Sequence, residues 1–195
     1  MHVGDDLYVL RPSLYAMSQI GQPAEIVDVF VCVMADAGGE KGIADQFGDA
    51  LSVLHACADR DVSTVFGYFD ETLAFVPGVA NVEHIVPLAR CLLRHGVTGV
   101  IPPLPRRADE EPEYLQEFVA RDHVAIAIAH LGLSEREAWT ITMTGLVSAM
   151  RAKFPQIESN APGAKAPTKE EHEATMDWFD KIEAKRKARA AKGAN

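Results

Sequence analysis

Apolar residues recur along this chain mostly at helical spacing. Over 23–34, Ile26, Phe30 and Met34 form one i, i+4 row and Val27 and Val31 a second beside it, which predicts a helix buried on a broad face. Phe47, Leu51 and Leu54 share one face of a predicted helix over 44–58. Between the two, residues 36–42 carry Gly38, Gly39 and Gly42 and read as a connector, because the spacing of a phosphate loop and its Lys-Ser/Thr end are missing. Upstream, 6–10 is rich in β-formers and suggests a short strand. Ser13 then caps a helix over 14–20 that Gly21 ends.

Further on, Asn81 caps a predicted helix over 82–95 that Gly96 is placed to close, with Pro87 forcing a kink or a start near itself. Residues 97–105 hold Pro102, Pro103 and Pro105 and read as extended. Asp109, Glu110 and Glu111 precede Pro112 and suit the positive start of a helix over 113–131, which Gly132 stops. Ser134 and Glu137 match a capping box, and Thr142 or Thr144 opens a last body helix carrying Leu146, Val147 and Met150. The aromatic-rich segment 62–76 receives no element. The expected architecture is mainly α: a compact helical body over 1–155 with at most a short N-terminal β element, a flexible linker over 156–167, where apolar anchors vanish, and a charged helix over 168–195.

Composition supports a folded chain, since 48% apolar and 24% charged residues are ordinary for a globular protein. The net charge of −9 argues against a general nucleic-acid binder, which needs clustered Lys and Arg. Cys32, Cys57 and Cys91 are odd in number and widely spaced, so buried free thiols in a reducing cytoplasm are expected rather than a disulfide framework. The N-terminus lacks the basic start and apolar run of a signal peptide, and no uninterrupted apolar run approaches membrane-spanning length.

Candidate chemistry is sparse. His123 and His130 lie seven residues apart, too far for one helix alone to hold a metal between them. His55 and Cys57 point to different faces of a helix, and the common nucleophile, zinc and dinucleotide motifs are absent. No catalytic, cofactor or metal site is therefore expected, and a non-enzymatic, protein-binding role is. Two apolar groups suit such a role. Trp178 and Phe179, with Met176 and Ile182 nearby, interrupt a terminal helix that is acidic in its first half and basic in its second. They either dock on the parent domain or present a peptide to a partner groove. Trp139 either plugs the core or, with Leu133 and Met143, borders a groove for a client helix.

Two stretches carry a resemblance. Residues 10–27, from Leu10-Arg11-Pro12-Ser13 through a Gly21 stop to a second helix, resemble the opening of the tail assembly chaperones of long-tailed bacteriophages. Residues 130–146, with Leu131-Gly132, Ser134, Glu135, Trp139, Met143-Thr144 and Leu146, resemble a recurring element of the same family, with Arg136 in place of the commoner second acid. The resemblance covers under a fifth of the chain, and 36–112 contributes nothing to it. It implies a non-catalytic protein of the bacterial host cytoplasm, absent from the mature virion, that binds the tape-measure protein and helps recruit tail-tube subunits. No cofactor, nucleic acid or membrane is implied, and homo-oligomerisation is compatible with it. The alternative is a minor structural tail protein, a terminator or completion protein, retained in the virion.

Overall fold

The computed structural model describes residues 1–36, 38–101, 116–155 and, toward the C-terminus, 169–170, 172–174, 176–179 and 181–182. The fold is mainly α, with two short antiparallel hairpins. The chain divides into two units, Met1–Pro102 with Tyr114–Pro155, and Pro103–Glu113 with Gln156–Asn195. The expected linker over 156–167, the acidic run at 109–113 and the basic end beyond 182 lie outside the described residues.

The body opens with β1 (His2–Val3) and β2 (Asp6–Leu7), after which Leu10 bridges Ala58. Ser13 caps α1 (Leu14–Ser18) as expected, its Oγ accepting from the Ala16 N–H at 3.1 Å. In α2 (Pro23–Met34), proline occupies the first turn, and the Glu25 carboxylate accepts from the Gln22 N–H at 2.7 Å. The buried stripe of α2 is narrower than its sequence suggests. Ile26 and Val33 are buried while Val31 is 60% exposed, because α2 packs against α3 (Gly39–Cys57) and α5 (Ile85–Leu93) along one side only. At its C-terminal end, the buried Gln46 amide donates to the carbonyls of Cys32, Val33 and Ala35, and Arg90 donates to those of Val33 and Ala35 at 2.8 Å each. Two side chains from other helices thus satisfy carbonyls that the end of α2 leaves open.

The unassigned aromatic segment folds as α4 (Ser63–Phe66) and a hairpin of β3 (Tyr68–Phe69) with β4 (Phe75–Val76), Phe69 facing Phe75. Gly67 joins the two at φ 88, where a Cβ would lie 2.4 Å from the Val76 carbonyl oxygen. Phe75 packs edge-on against Phe47 of α3 with ring centroids 4.9 Å apart, and Phe69 closes the trio. At the hairpin tip, the Leu73 N–H donates to the Asp70 carbonyl, and the Asp70 carboxylate accepts from the Thr72 N–H, the Thr72 hydroxyl and the Ala74 N–H. Those bonds, the Thr72 hydroxyl first, hold the Asp70 carboxyl below its ordinary pKa. Leu73 takes the left-handed position at φ 61 that such a turn reserves for glycine, at a cost of roughly 1–2 kcal/mol.

Asn81 caps a single turn over Val82–His84, and α5 starts at Ile85, so Pro87 falls in its first turn and causes no break. Gly96 does not close this helix. It sits buried in a π-helical turn over Arg94–Thr98, where a Cβ would lie 2.5 Å from the Met17 sulfur, and the chain reverses only at Gly99 with φ 76. Glycine here lets the turn approach α1. The next helix, α6 (Ala120–Leu131), starts later than residue 113. Residues 116–119 are not helical, since Phe118 is buried and its N–H donates to the Pro23 carbonyl at 2.9 Å. Gly132, at φ 71, stops α6 as expected. Then α7 (Glu135–Thr140) begins with the Ser134–Glu137 capping box, and Thr142, not Thr144, caps α8 (Met143–Lys153). The described residues between 169 and 182 are helical.

A candidate protein-docking surface

Residues 10–27 and 130–146, remote in sequence, meet along one seam. Ser13 and Thr142 form an antiparallel bridge, and the Leu14 N–H donates to the Ile141 carbonyl at 2.9 Å. Both bridge residues are helix caps, and a cap is held in extended geometry, which leaves its backbone free to pair. The seam orients its side chains in two directions. Leu14, Met17, Ala138 and Leu146 point into the core. Tyr15 points out and is 57% exposed, and Trp139 is half-buried beside it. Their rings meet edge-to-face with centroids 6.3 Å apart, and the Arg121 guanidinium lies 5.9 Å from the Trp139 ring. The result is a preorganised patch with an apolar floor, a phenol and a cation, the side-chain types that dominate protein interfaces.

The residues singled out from sequence divide. Trp139 and Leu133 are both half-buried and pack against the core, Trp139 with part of its ring on this patch. Met143 does not line a groove. As the first residue after the Thr142 cap it turns inward, is 8% exposed and belongs to the core. No local motif marks Tyr15 or Arg121, although Tyr15 interrupts the apolar positions Leu14, Ala16 and Met17 of a short capped helix, which suits an outward residue. In the second unit, Trp178 and Phe179 are each 57% exposed and pack edge-on with centroids 5.3 Å apart, with Met176 exposed nearby.

Other candidate chemistry is bland. Cys57 is buried, which pushes its thiol up to about 12. Cys32 sits in an open cleft between α2 and α3 lined by Glu25, Asp28, Asp45 and Asp49, and burial, then the Asp49 hydrogen bond and the charges of Asp49 and Asp45, push it up to about 11. Neither thiol is activated for nucleophilic attack. Of the three thiols expected to be buried, Cys57 alone is; Cys32 is half-buried and Cys91 is exposed. His123 stacks on Phe118 and bonds the Val119 carbonyl, and His95 bonds the Thr144 hydroxyl at 2.9 Å, so both act as structural clasps. Among the described residues, no cluster of three or more metal-ligating side chains occurs, and no helix is long and apolar enough to cross a membrane.

No curated protein and no solved structure matches this chain. One protein family does, over residues 39–174, more than two thirds of the length. That span contains α3 through α8, including Trp139 and the hairpin of residues 68–76, but not the α1 side of the seam. The chain therefore belongs to DUF6246, a family of unknown function.

Proposed function

We propose that this protein is a non-catalytic binding factor of the phage tail assembly chaperone type, which holds the helical tape-measure protein and helps recruit tail-tube subunits. The observation that carries the reading is the seam. The two stretches that resemble such chaperones, far apart in sequence, join through Ser13–Thr142 and leave Tyr15 and Trp139 side by side at the surface. A client helix offers apolar side chains at i, i+3, i+4 and i+7, and a rigid aromatic pair with an Arg rim suits that pattern. The exposed Trp178–Phe179 pair supplies a second contact, and two modest contacts on one chain raise the effective concentration of a bound client. The net charge of −9 keeps a protein with such patches from self-precipitating. In this reading the protein acts in the host cytoplasm and leaves before the virion is complete.

The test is co-expression with the tape-measure protein of the same genome. A soluble complex with the full chain, lost with Tyr15→Ala and Trp139→Ala at unchanged circular dichroism, supports the reading, and failure to form any complex contradicts it. Mass spectrometry of purified virions separates the alternative: fixed copies of this chain in the particle would make it a minor structural tail protein instead.

A further inference from the structure

The helices of the body pack in two sets. In the first, α2, α3 and α5 pack on one another, and in the second, α6 packs on α7 and on α8. Outside their own set, α6, α7 and α8 have two principal packing partners. These are α1, which meets α6 and α7, and the π-helical turn over Arg94–Thr98, which meets α8. Both partners are anchored to the first set. The segment before α1 is tied to the end of α3 by the Leu10–Ala58 bridge and by the Arg11 N–H, which donates to the Cys57 carbonyl at 2.7 Å. The π-helical turn continues directly from α5.

The polar ties across this junction include the Ser13–Thr142 bridge with its Leu14–Ile141 hydrogen bond. A second tie is the Thr144 hydroxyl of α8, which accepts from the Val100 N–H at 3.0 Å and meets the His95 ring at 2.9 Å. To the apolar part, α6 and α7 bring mainly alanine, in Ala120, Ala127 and Ala138. A buried alanine removes far less apolar area from water than the Ile26, Val33, Leu54 and Ile85 of the first set. Nor can the second set keep its structure once undocked. Its helices have 12, 6 and 11 residues, and helices below about 12–15 residues are marginal in water on their own. Undocking and unfolding are therefore one event.

We infer that α6, α7 and α8 form one cooperative unit that detaches from α1 and the π-helical turn and unfolds while α2, α3 and α5 stay folded. Proteins open sub-globally in contiguous units of this kind, below the free energy of global unfolding. Opening bares Val124, Met143 and Leu146, which the closed fold buries, and separates Trp139 from Tyr15. The seam is the edge along which the body comes apart. This opening needs no client and is independent of what binds at the surface.

Native-state hydrogen exchange of the full chain at low urea concentrations, read peptide by peptide, tests this. The hydrogen-bonded amides of α6 and α8 are expected to share one opening equilibrium. Corrected for intrinsic rates, they should exchange at least about tenfold faster than those of α3 and α5. Ile85→Val trims the first set at the end of α5 remote from the π-helical turn, and its site stays packed when the unit opens. It is expected to speed exchange in α3 and α5 by roughly two- to tenfold and to leave α6 and α8 unchanged. Thr144→Val removes the hydroxyl that ties α8 to the turn and is expected to speed exchange in α6 and α8 roughly fivefold. Equal protection of the two sets, an effect of Ile85→Val on α6 and α8 as large as on α3, or no effect of Thr144→Val on them would each overturn the proposal.

Discussion

The two ends of the body core are built differently. Around α2, α3 and α5 the interior is filled by branched side chains, with Ile26, Val33, Val53, Leu54, Ile85 and Leu93 essentially inaccessible. At the other end, the helices α6 and α7 themselves contribute mainly alanine to it: Ala120, Ala127 and Ala138 face inward, with Val124 the larger exception, against Leu14, Met17 and Leu146 from the helices they pack on. The bulky residues of those helices sit outside or at the edge. Ile126 and Ile128 are 39% and 40% exposed, and Trp139 is half-buried. A helix apolar around most of its circumference is normally enclosed on all sides, and α6 is not. The first region uses its large apolar residues to hold the fold. In the second, α6 and α7 bury small residues against large ones from neighbouring helices and leave Ile126 and Ile128 exposed.

The largest effects separating the regions are thermodynamic. Leu54→Ala or Leu93→Ala removes a fully buried side chain from the branched half, and a loss of about 2–5 kcal/mol in denaturant unfolding is expected. Trp139→Ala removes a ring that packs against the core on one side and meets water on the other, so a loss of about 2–3 kcal/mol is expected, below that of a fully buried tryptophan. A loss of about 4–5 kcal/mol would make Trp139 a core plug. Below these lies the clamp on the end of α2. Arg90→Ala or Gln46→Ala each removes one of the two donors that the Val33 and Ala35 carbonyls share, for an expected loss of about 1 kcal/mol.

Much of the helical pattern is legible in sequence because its signals are local. Ser13, Asn81, Ser134 and Thr142 cap where their side chains suggest, and Gly132 stops α6 as its left-handed φ requires. The misreadings come from tertiary contacts. The acids at 109–117 suggest an early helix start, but 116–119 are not helical, and the Phe118 N–H donates to the Pro23 carbonyl instead. Gly96 looks like a helix stop and is instead the contact point with Met17. Val31 lies in a periodic row yet is exposed, since which stripe of α2 is covered depends on where α3 and α5 pack. The aromatic residues at 66–75 carry no helical or alternating pattern because a hairpin with strands of two residues each is too short to show one. Of the candidate site, Trp139 was legible, but its pairing with Tyr15 and Arg121 follows from a bridge between segments that no local pattern reveals.

Smaller effects concern α7 and the thiols. Bonds from Ser134, its hydroxyl first, hold the Glu137 carboxyl below its ordinary pKa. A depressed folded-state pKa gives stability that is present above the unfolded value and is lost as pH falls through the folded one. Glu137→Gln is therefore expected to lower Tm slightly at neutral pH, with the difference from the parent protein shrinking as acidification protonates the carboxylate. A difference that grows toward acid would contradict the cap's charge. In alkylation followed by mass spectrometry, exposed Cys91 is expected to react first, Cys32 slowly and Cys57 only on unfolding, in keeping with their accessibility and raised thiol pKa values.

Client binding at the Tyr15–Trp139 seam is read by fluorescence of Trp139 alone. Replacing Trp178 with Phe leaves a single tryptophan, since the sequence contains two. In the free protein its emission should be open to acrylamide quenching, as a half-buried ring allows. Adding the tape-measure protein should protect it in proportion to the complex formed. Binding that proceeds with Trp139 quenching unchanged would place the client elsewhere on the molecule and contradict a role for the seam.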